Sequence, residues 1–297
     1  MESIPAKTIV TKNKSTKWFG MDYTMNIYKG CNHGCIYCDS RSSCYGINQF
    51  DTVRIKEDAL RVIRDDLRRK VKKGVIGMGS MSDPYNPYEK KLSLTRHALE
   101  LIDAFDFGVG IATKSDLITR DMDILSGIQE HSPVICKITI TTCDDELSKK
   151  IEPQAPVSSK RFETVGKLRE QGIYAGILMM PILPFIDDQE ENIVGIVRRA
   201  HEIDANFIYA SMGMTLRGNQ KEWYYEKLKK AFPDQDYISK YEKQYGYRYQ
   251  CSSPKAKHLW KVFTKECKRY GILYEMSDIV HSYQKNYQYT QLNLFDL

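Results

Sequence analysis

The chain has 297 residues, 42% of them hydrophobic, with eight cysteines and a formal net charge of +6. That length suits one large α/β domain or two modest ones with a sizeable core, and the mild charge falls short of a strongly basic nucleic-acid binder while favouring polyanionic over acidic partners. The first apolar run is only Ile9-Val10 and no stretch approaches the roughly 18 apolar residues of a membrane span, so the expectation is a cytoplasmic protein with no membrane partner, whose cysteines serve as thiols or ligands, not as a disulfide framework.

Residues 1–20 read as an N-terminal segment. From Asp22 to about Leu216, short apolar or β-branched runs alternate with helical patterns, the signature of repeated βα units and a parallel sheet. Six strands are expected, running from residues 23–28, 75–78, 108–113, 134–141, 174–180 and 207–212. The helices between them are expected over residues 57–73, 95–105, 121–130, 159–171 and 190–202, with Gly172 as a C-terminal cap. The implied fold class is α/β, a partial (β/α)6 TIM-type barrel over residues 21–216, with chemistry at the C-terminal ends of its strands. Residues 217–283 shift to Lys, Tyr, Glu and Gln and read as a helical extension, with helices over 221–232 and 255–270. Residues 284–297 form a tail expected to be flexible.

Three cysteines cluster in Tyr28-Lys-Gly-Cys31-Asn-His-Gly-Cys35-Ile-Tyr-Cys38. Thiolates suit iron–sulfur clusters, and three of them leave one iron of a [4Fe–4S] cube without a protein ligand. That iron can take the amino and carboxylate groups of S-adenosylmethionine (SAM), whose sulfonium an electron can then cleave. A zinc site with His33 or Cys44 as fourth ligand is the competing reading, although no second Cys-x2-Cys or Cys/His pair accompanies the loop. The Cys-x3-Cys-x2-Cys spacing on a Gly-containing loop after the first strand resembles the radical SAM superfamily.

After the second strand comes Gly79-Ser80-Met-Ser82-Asp83-Pro84-Tyr-Asn-Pro87-Tyr-Glu89, polar groups braced by prolines at a strand end. With Thr113-Lys114-Ser115 and Glu152-Pro-x-Ala-Pro156 it looks like the spore photoproduct lyase-like group, over most of residues 20–280. The resemblance implies that Cys31, Cys35 and Cys38 hold the cluster and that Tyr37 lies against the adenine of SAM. It places Ser80, Ser82 and Asp83 near the amino group of SAM and Lys114 and Ser115 near its carboxylate or ribose, with Thr139 and Thr141 pointing the same way. It further implies an electron donor such as flavodoxin or ferredoxin. One departure stands out: the photoproduct lyases carry a hydrogen-donating cysteine where this chain has Ser80, whose O–H bond is too strong for that step. Cys143 is the substitute hydrogen-atom donor the sequence offers, with a structural thiol as the plainer alternative. Cys136, Cys251 and Cys267 lack metal spacing and read as core.

Between Arg217 and Arg269 basic residues interleave with aromatics, as in Trp223-Tyr224-Tyr225-Glu-Lys227 and Tyr241 to Tyr249. Such mixtures bind nucleic acid through phosphate pairing and stacking, or pack tyrosines onto the barrel. The tail Gln291-Leu292-Asn293-Leu294-Phe295 is similar to the short peptide with which bacterial repair proteins dock onto the DNA sliding clamp; an apolar anchor folding back is the alternative. The sequence therefore points to a radical SAM enzyme, lyase-like, acting on DNA. The alternatives are RNA, peptide or small-metabolite substrates, or a zinc-stapled module binding nucleic acid and the clamp.

Overall fold

The structure, a computed structural model, describes residues 2–287; the clamp-like residues Gln291, Leu292, Leu294 and Phe295 lie outside them. The chain opens with two short strands, β1 (Ser3–Ile4) and β2 (Val10–Lys12), that the sequence reading left unassigned. β3 (Tyr23–Met25) then enters the main sheet, and β4 (Tyr28–Lys29) leaves it to pair antiparallel with β5 (Arg54–Lys56). The single strand expected over residues 23–28 is thus two strands in different sheets. The chain turns away so that Gly30, at φ +86°, can bring its backbone against Phe50 and Thr52, where a Cβ would sit 2.6 Å from the Thr52 carbonyl oxygen.

The repeat expected from the sequence follows: α1 (Ala59–Arg68), β6 (Val75–Met78), α2 (Glu89–Leu92), α3 (Leu94–Ala104), β7 (Gly108–Thr113), α4 (Met122–His131), β8 (Val134–Thr139), α5 (Asp145–Ile151), α6 (Ser158–Glu170), β9 (Ala175–Met179), α7 (Glu190–Glu202) and β10 (Ile208–Ala210). The main sheet has the order β10-β9-β8-β7-β6-β3-β2, parallel from β3 to β10, with β2 added antiparallel at the edge. β10 and β2 end the order without meeting, so the barrel is partial.

Alternation along the strands separates two environments. Ile76, Met78, Val109, Ile111, Val134, Cys136, Ile138, Ile177 and Met179 face the helices in one continuous core. Each fully buried Ile or Met there contributes about 1.5–3 kcal/mol. The opposite face carries Gly77, Gly110, Ala112, Lys137, Thr139, Leu178 and Met180. Met21 packs over Gly77 and Gly110 and takes up the space their missing side chains leave. The barrel floor is filled by Phe19, Met21, Val75, Ile135, Phe207, Ile279 and Tyr283.

After β10 come β11 (Gly213–Thr215), α8 (Asn219–Ala231), α9 (Tyr237–Tyr245), β12 (Gln250–Ser252), α10 (Ala256–Tyr270) and α11 (Met276–Gln284). β11 and β12 pair antiparallel. α10 packs along α7, placing Leu259, Phe263 and Cys267 in the barrel's outer core, so this stretch completes the helical layer. The chain stays docked past residue 284: the Tyr287 hydroxyl donates to the Gln129 carbonyl. Tyr224, Tyr241, Tyr245 and Cys251 form a second core together with Cys35, Ile36 and Tyr37 of the cysteine loop. Burial claims these three tyrosines, while Tyr247 and Tyr249 remain exposed. Among the described residues no helix is long and apolar enough to cross a membrane.

Candidate metal and cofactor centre

Cys31, Cys35 and Cys38 line one wall of a cavity of about 390 Å3 at the C-terminal ends of the strands. Backbone bonds seat their loop: the Cys31 N–H donates to the Phe50 carbonyl at 2.9 Å, Ile36 N–H to the Ile151 carbonyl at 2.9 Å, and Gln154 N–H to the His33 carbonyl at 3.0 Å. From α8, the Gln220 side-chain amide donates to the Tyr37 carbonyl at 3.0 Å. Burial, reinforced by the Asp83 charge, pushes the Cys31 thiol up to about 12, and burial also raises Cys35 and Cys38. Such thiols stay protonated until a cation draws the proton away, which is what coordination to iron does.

His33, the alternative zinc ligand, lines the same cavity, with both ring nitrogens directed at protein groups: Nε2 lies 3.1 Å from Asp83 Oδ2 and Nδ1 lies 3.4 Å from the Gln154 carbonyl oxygen. Cys44, the other, is exposed and does not line the cavity. Among the described residues no group of three or more His, Cys, Asp or Glu side chains is arranged to hold a single metal ion. Three thiols around a shared cavity fit a larger sulfur-bridged cluster, with Cys31, Cys35 and Cys38 as its ligands.

Asp83, expected near the amino group of SAM, lines the cavity and also carries structural contacts. Its Oδ1 accepts from the Thr113 hydroxyl at 2.6 Å and from the Tyr85 N–H at 2.9 Å. Its Oδ2 accepts from the Lys114 N–H at 2.9 Å and faces His33. Three hydrogen bonds fix the carboxylate at the cavity wall, and the remaining one of its roughly four lone-pair directions is the one nearest His33. Burial would raise its pKa, yet His33, Thr113 and the Lys114 N–H together hold it down at about 2. Asp83 therefore braces β6, β7 and the cysteine loop against one another. Gly79 just upstream has φ +91°, and a Cβ there would sit 2.0 Å from the Ala112 carbonyl oxygen, so only glycine lets the strand end turn over β7.

The remaining expected residues divide. Ser80, beside Asn26 at 3.4 Å, and Ser82, donating to the Tyr28 carbonyl at 2.9 Å, both line the cavity. Thr139 lines it too, while Thr141 is buried away from it. Ser115 caps the turn that follows β7, accepting from the Leu117 N–H at 3.3 Å, and lines neither this cavity nor its neighbour. Cys143 lies apart from both cavities. It packs beside Gly195 of α7, with its N–H donating to Asn192, and burial raises its thiol to about 11.

Lys114 stands between the cavity and a second one of about 830 Å3, which also shares Cys38 and Met180 and adds Tyr37, Met212 and Thr215. Its ammonium lies 3.9 Å from Glu152 Oε1 and 5.5 Å from the Tyr37 ring centre. Burial works against that charge, and the Glu152 carboxylate beside it helps to keep it in place. Glu152 in turn accepts from the Tyr37 hydroxyl and from Arg161, both at short range. Arg161 also donates to the Thr139 carbonyl at 2.8 Å, to the Pro156 carbonyl at 2.7 Å and to Ser148 at 2.8 Å. The sequence reading missed Arg161 and Lys137, and named Thr113 only as part of a motif. For Lys137 a signal existed: a single cation within the apolar run Val134-Ile-Cys-Lys-Ile.

The rim of the second cavity carries Arg217, Lys257, Lys261 and Trp260, the last 39% exposed. Trp223 is taken up between Arg41 at 3.6 Å and Lys227 at 4.0 Å and is not free to stack on a base.

Comparison with known proteins agrees with this geometry. An uncharacterized protein of Methanocaldococcus jannaschii is 37% identical over 178 residues, 59% of this chain and 66% of that one. One of Mycobacterium tuberculosis is 26% identical over 230 residues, 75% of this chain and 67% of that one. Among solved structures, spore photoproduct lyase complexed with dinucleoside spore photoproduct superposes with a TM-score of 0.65 at 16% identity, covering 90% of this chain and 78% of that one. A radical S-adenosylmethionine methyltransferase from Kitasatospora setae gives 0.55 at 11% identity, covering 86% and 53%. Those likenesses concern the fold, a partial barrel of the same type. The family model of the radical SAM superfamily matches residues 25–197, more than half of the chain, and the protein belongs to that superfamily.

Proposed function

We propose that this protein cleaves SAM reductively and uses the resulting 5′-deoxyadenosyl radical to take a hydrogen atom from a nucleotide-bearing substrate, DNA being the one we favour. A [4Fe–4S] cluster bound by Cys31, Cys35 and Cys38 would supply the electron and an open iron for SAM. The observation that carries the reading is the placement of all three thiols on one wall of a cavity that communicates, past Lys114, with the larger second cavity. Tyr37 and Lys114 present an aromatic face and a cation to SAM across that boundary. The cavity within the barrel leaves space beside it for substrate. DNA is supported by the basic, Trp260-bearing rim and by the likeness to a lyase solved with a dinucleoside photoproduct.

The test is anaerobic reconstitution with iron and sulfide, followed by assays of iron, acid-labile sulfide and 5′-deoxyadenosine after reduction, beside the Cys31/Cys35/Cys38 triple alanine variant. Cysteine-dependent cluster and deoxyadenosine establish the reaction; a cluster without SAM cleavage rejects it. Loss of single-stranded DNA binding in the Arg217/Lys257/Lys261 triple alanine variant supports the substrate. Undiminished binding moves it to another class. Docking onto the sliding clamp is part of the same reading and is tested by removing residues 288–297 and assaying clamp capture.

A further inference from the structure

Lys137 projects from β8 into the barrel interior with 2% of its surface exposed. Among the described residues no carboxylate pairs with it, and its only charged influence is the neighbouring Cys136, on the opposite face of the strand. Its surroundings are apolar. The Phe19 ring centre is 5.1 Å from the ammonium, and Met21, Leu178 and Ala112 share the cavity wall. Burial accordingly pushes its pKa down to about 7. A cation kept in such a place without a partner costs stability, and an apolar residue of the same length would fill the space better.

Gly110, on the facing strand β7, and Gly77 on β6 make room for the Met21 side chain: a Cβ at Gly110 would lie 2.3 Å from Met21 Cε and 3.1 Å from the Lys137 ammonium. The ammonium is thus held against the wall of the cavity that Lys137 lines. Thr139 stands two residues along β8 on the same face, about 6.6 Å nearer the mouth at the usual strand rise. Its hydroxyl also lines the cavity. Lys114, by contrast, already has Glu152 and stands at the cavity boundary, where SAM is placed by the reading above.

We propose that Lys137, with Thr139, anchors an oxyanion of the substrate, a carboxylate or a phosphodiester, deep in the barrel. The missing counter-charge is then the substrate itself, and binding restores to Lys137 a partner for its proton. A substrate without an anionic group at this distance from its reacting carbon would leave the lysine buried and unpaired, which makes the site selective as well as binding. This inference rests on the proposed reaction for the identity of the cavity, not for the existence of the anion site.

The test uses full-length, cluster-reconstituted protein without SAM. It is titrated calorimetrically with sodium acetate and with sodium dimethyl phosphate, against sodium chloride at equal ionic strength. We expect saturable one-to-one binding of at least one anion, lost in Lys137→Met and weakened about threefold to tenfold in Thr139→Val, the range of one hydrogen bond. Lys137→Met is expected to fold with an unfolding midpoint at or above that of the wild type, since it removes a buried charge. Should it fail to fold, Thr139→Val carries the test. Acetate alone would identify a carboxylate substrate and dimethyl phosphate alone a phosphodiester. Equal binding by wild type and variants, or no saturable binding of either anion, overturns the proposal. So does abolition of the response by SAM, which would give Lys137 to the carboxylate of SAM. Deoxyadenosine release by the wild type is scored separately: release without an anion response rejects this site alone, and an anion response without release rejects the proposed reaction alone.

Discussion

His33 Nε2 sits 3.1 Å from Asp83 Oδ2, so the loop that carries the three cysteines is tied to the C-terminal end of β6 by a buried polar contact. Because Asp83 also receives Thr113 and the Lys114 N–H, one side chain sets the spacing between two barrel strands and the loop. Asp83→Asn would put an amide N–H2 where an acceptor is needed, leaving one buried donor unmet at about 1–3 kcal/mol. The expected outcome is a lowered unfolding midpoint together with substoichiometric iron after reconstitution. Full iron occupancy in a normally stable variant would refute the bracing role.

Arg161 and Glu152, both without surface exposure, make a second brace beneath Tyr37 and Lys114. Arg161→Met strands the Glu152 carboxylate and should cost about 3–5 kcal/mol, the range for breaking a buried pair from one side. The double variant Arg161→Met/Glu152→Gln should recover a large part of that loss. Denaturant unfolding of both single variants and the double variant gives the coupling; an additive result contradicts it.

The depressed pKa of Lys137, about 7 in the folded chain against an ordinary 10.5, has a definite sign in stability. Below about pH 7 the lysine is charged in both states, and the cost of burying it is fully present. As pH rises towards 10.5 the folded state has released its proton while the unfolded chain still holds one, so stability increases by about 1.4 kcal/mol per pH unit across that window. Lys137→Met lacks this dependence. The stability advantage of the variant over wild type should therefore shrink between about pH 6 and about pH 9, as measured by urea unfolding; a constant difference would show that the lysine is solvated or paired.

Cys143 packs against α7 and away from both cavities. Cys143→Ala should retain the cluster and wild-type deoxyadenosine release, at a cost of about 1 kcal/mol for the small void. Abolished substrate turnover with intact SAM cleavage would restore it as a hydrogen-atom donor.

Much of this was readable from residue order. Short apolar runs such as Val134 to Thr139, alternating with helical patterns, locate the barrel strands because a parallel strand is buried on both faces, and the Cys31-Cys35-Cys38 spacing locates the cysteine loop. What was not readable depends on contacts distant in sequence. Asp83 looked like a ligand-binding carboxylate, and only the convergence of Thr113, Lys114 and His33 on it shows that it also ties β6, β7 and the cysteine loop together. For Tyr224, Tyr241 and Tyr245 both stacking and packing stayed open because nothing local shows that the cysteine loop covers them. The split of the expected first strand follows from a pairing with residues 54–55, far downstream.

The anchoring of the Tyr37 carbonyl by Gln220, 183 positions away, bears on how the protein is made. A ribosome emits the three cysteines early, but the walls that hold their loop, including Ile36 and Tyr37 against Tyr224, Tyr241 and Cys251, are synthesised late. A nascent chain thus carries the three thiols on an unsupported loop for most of its elongation. The pocket of side chains that holds this loop is therefore complete only when the chain through Cys251 has folded against it.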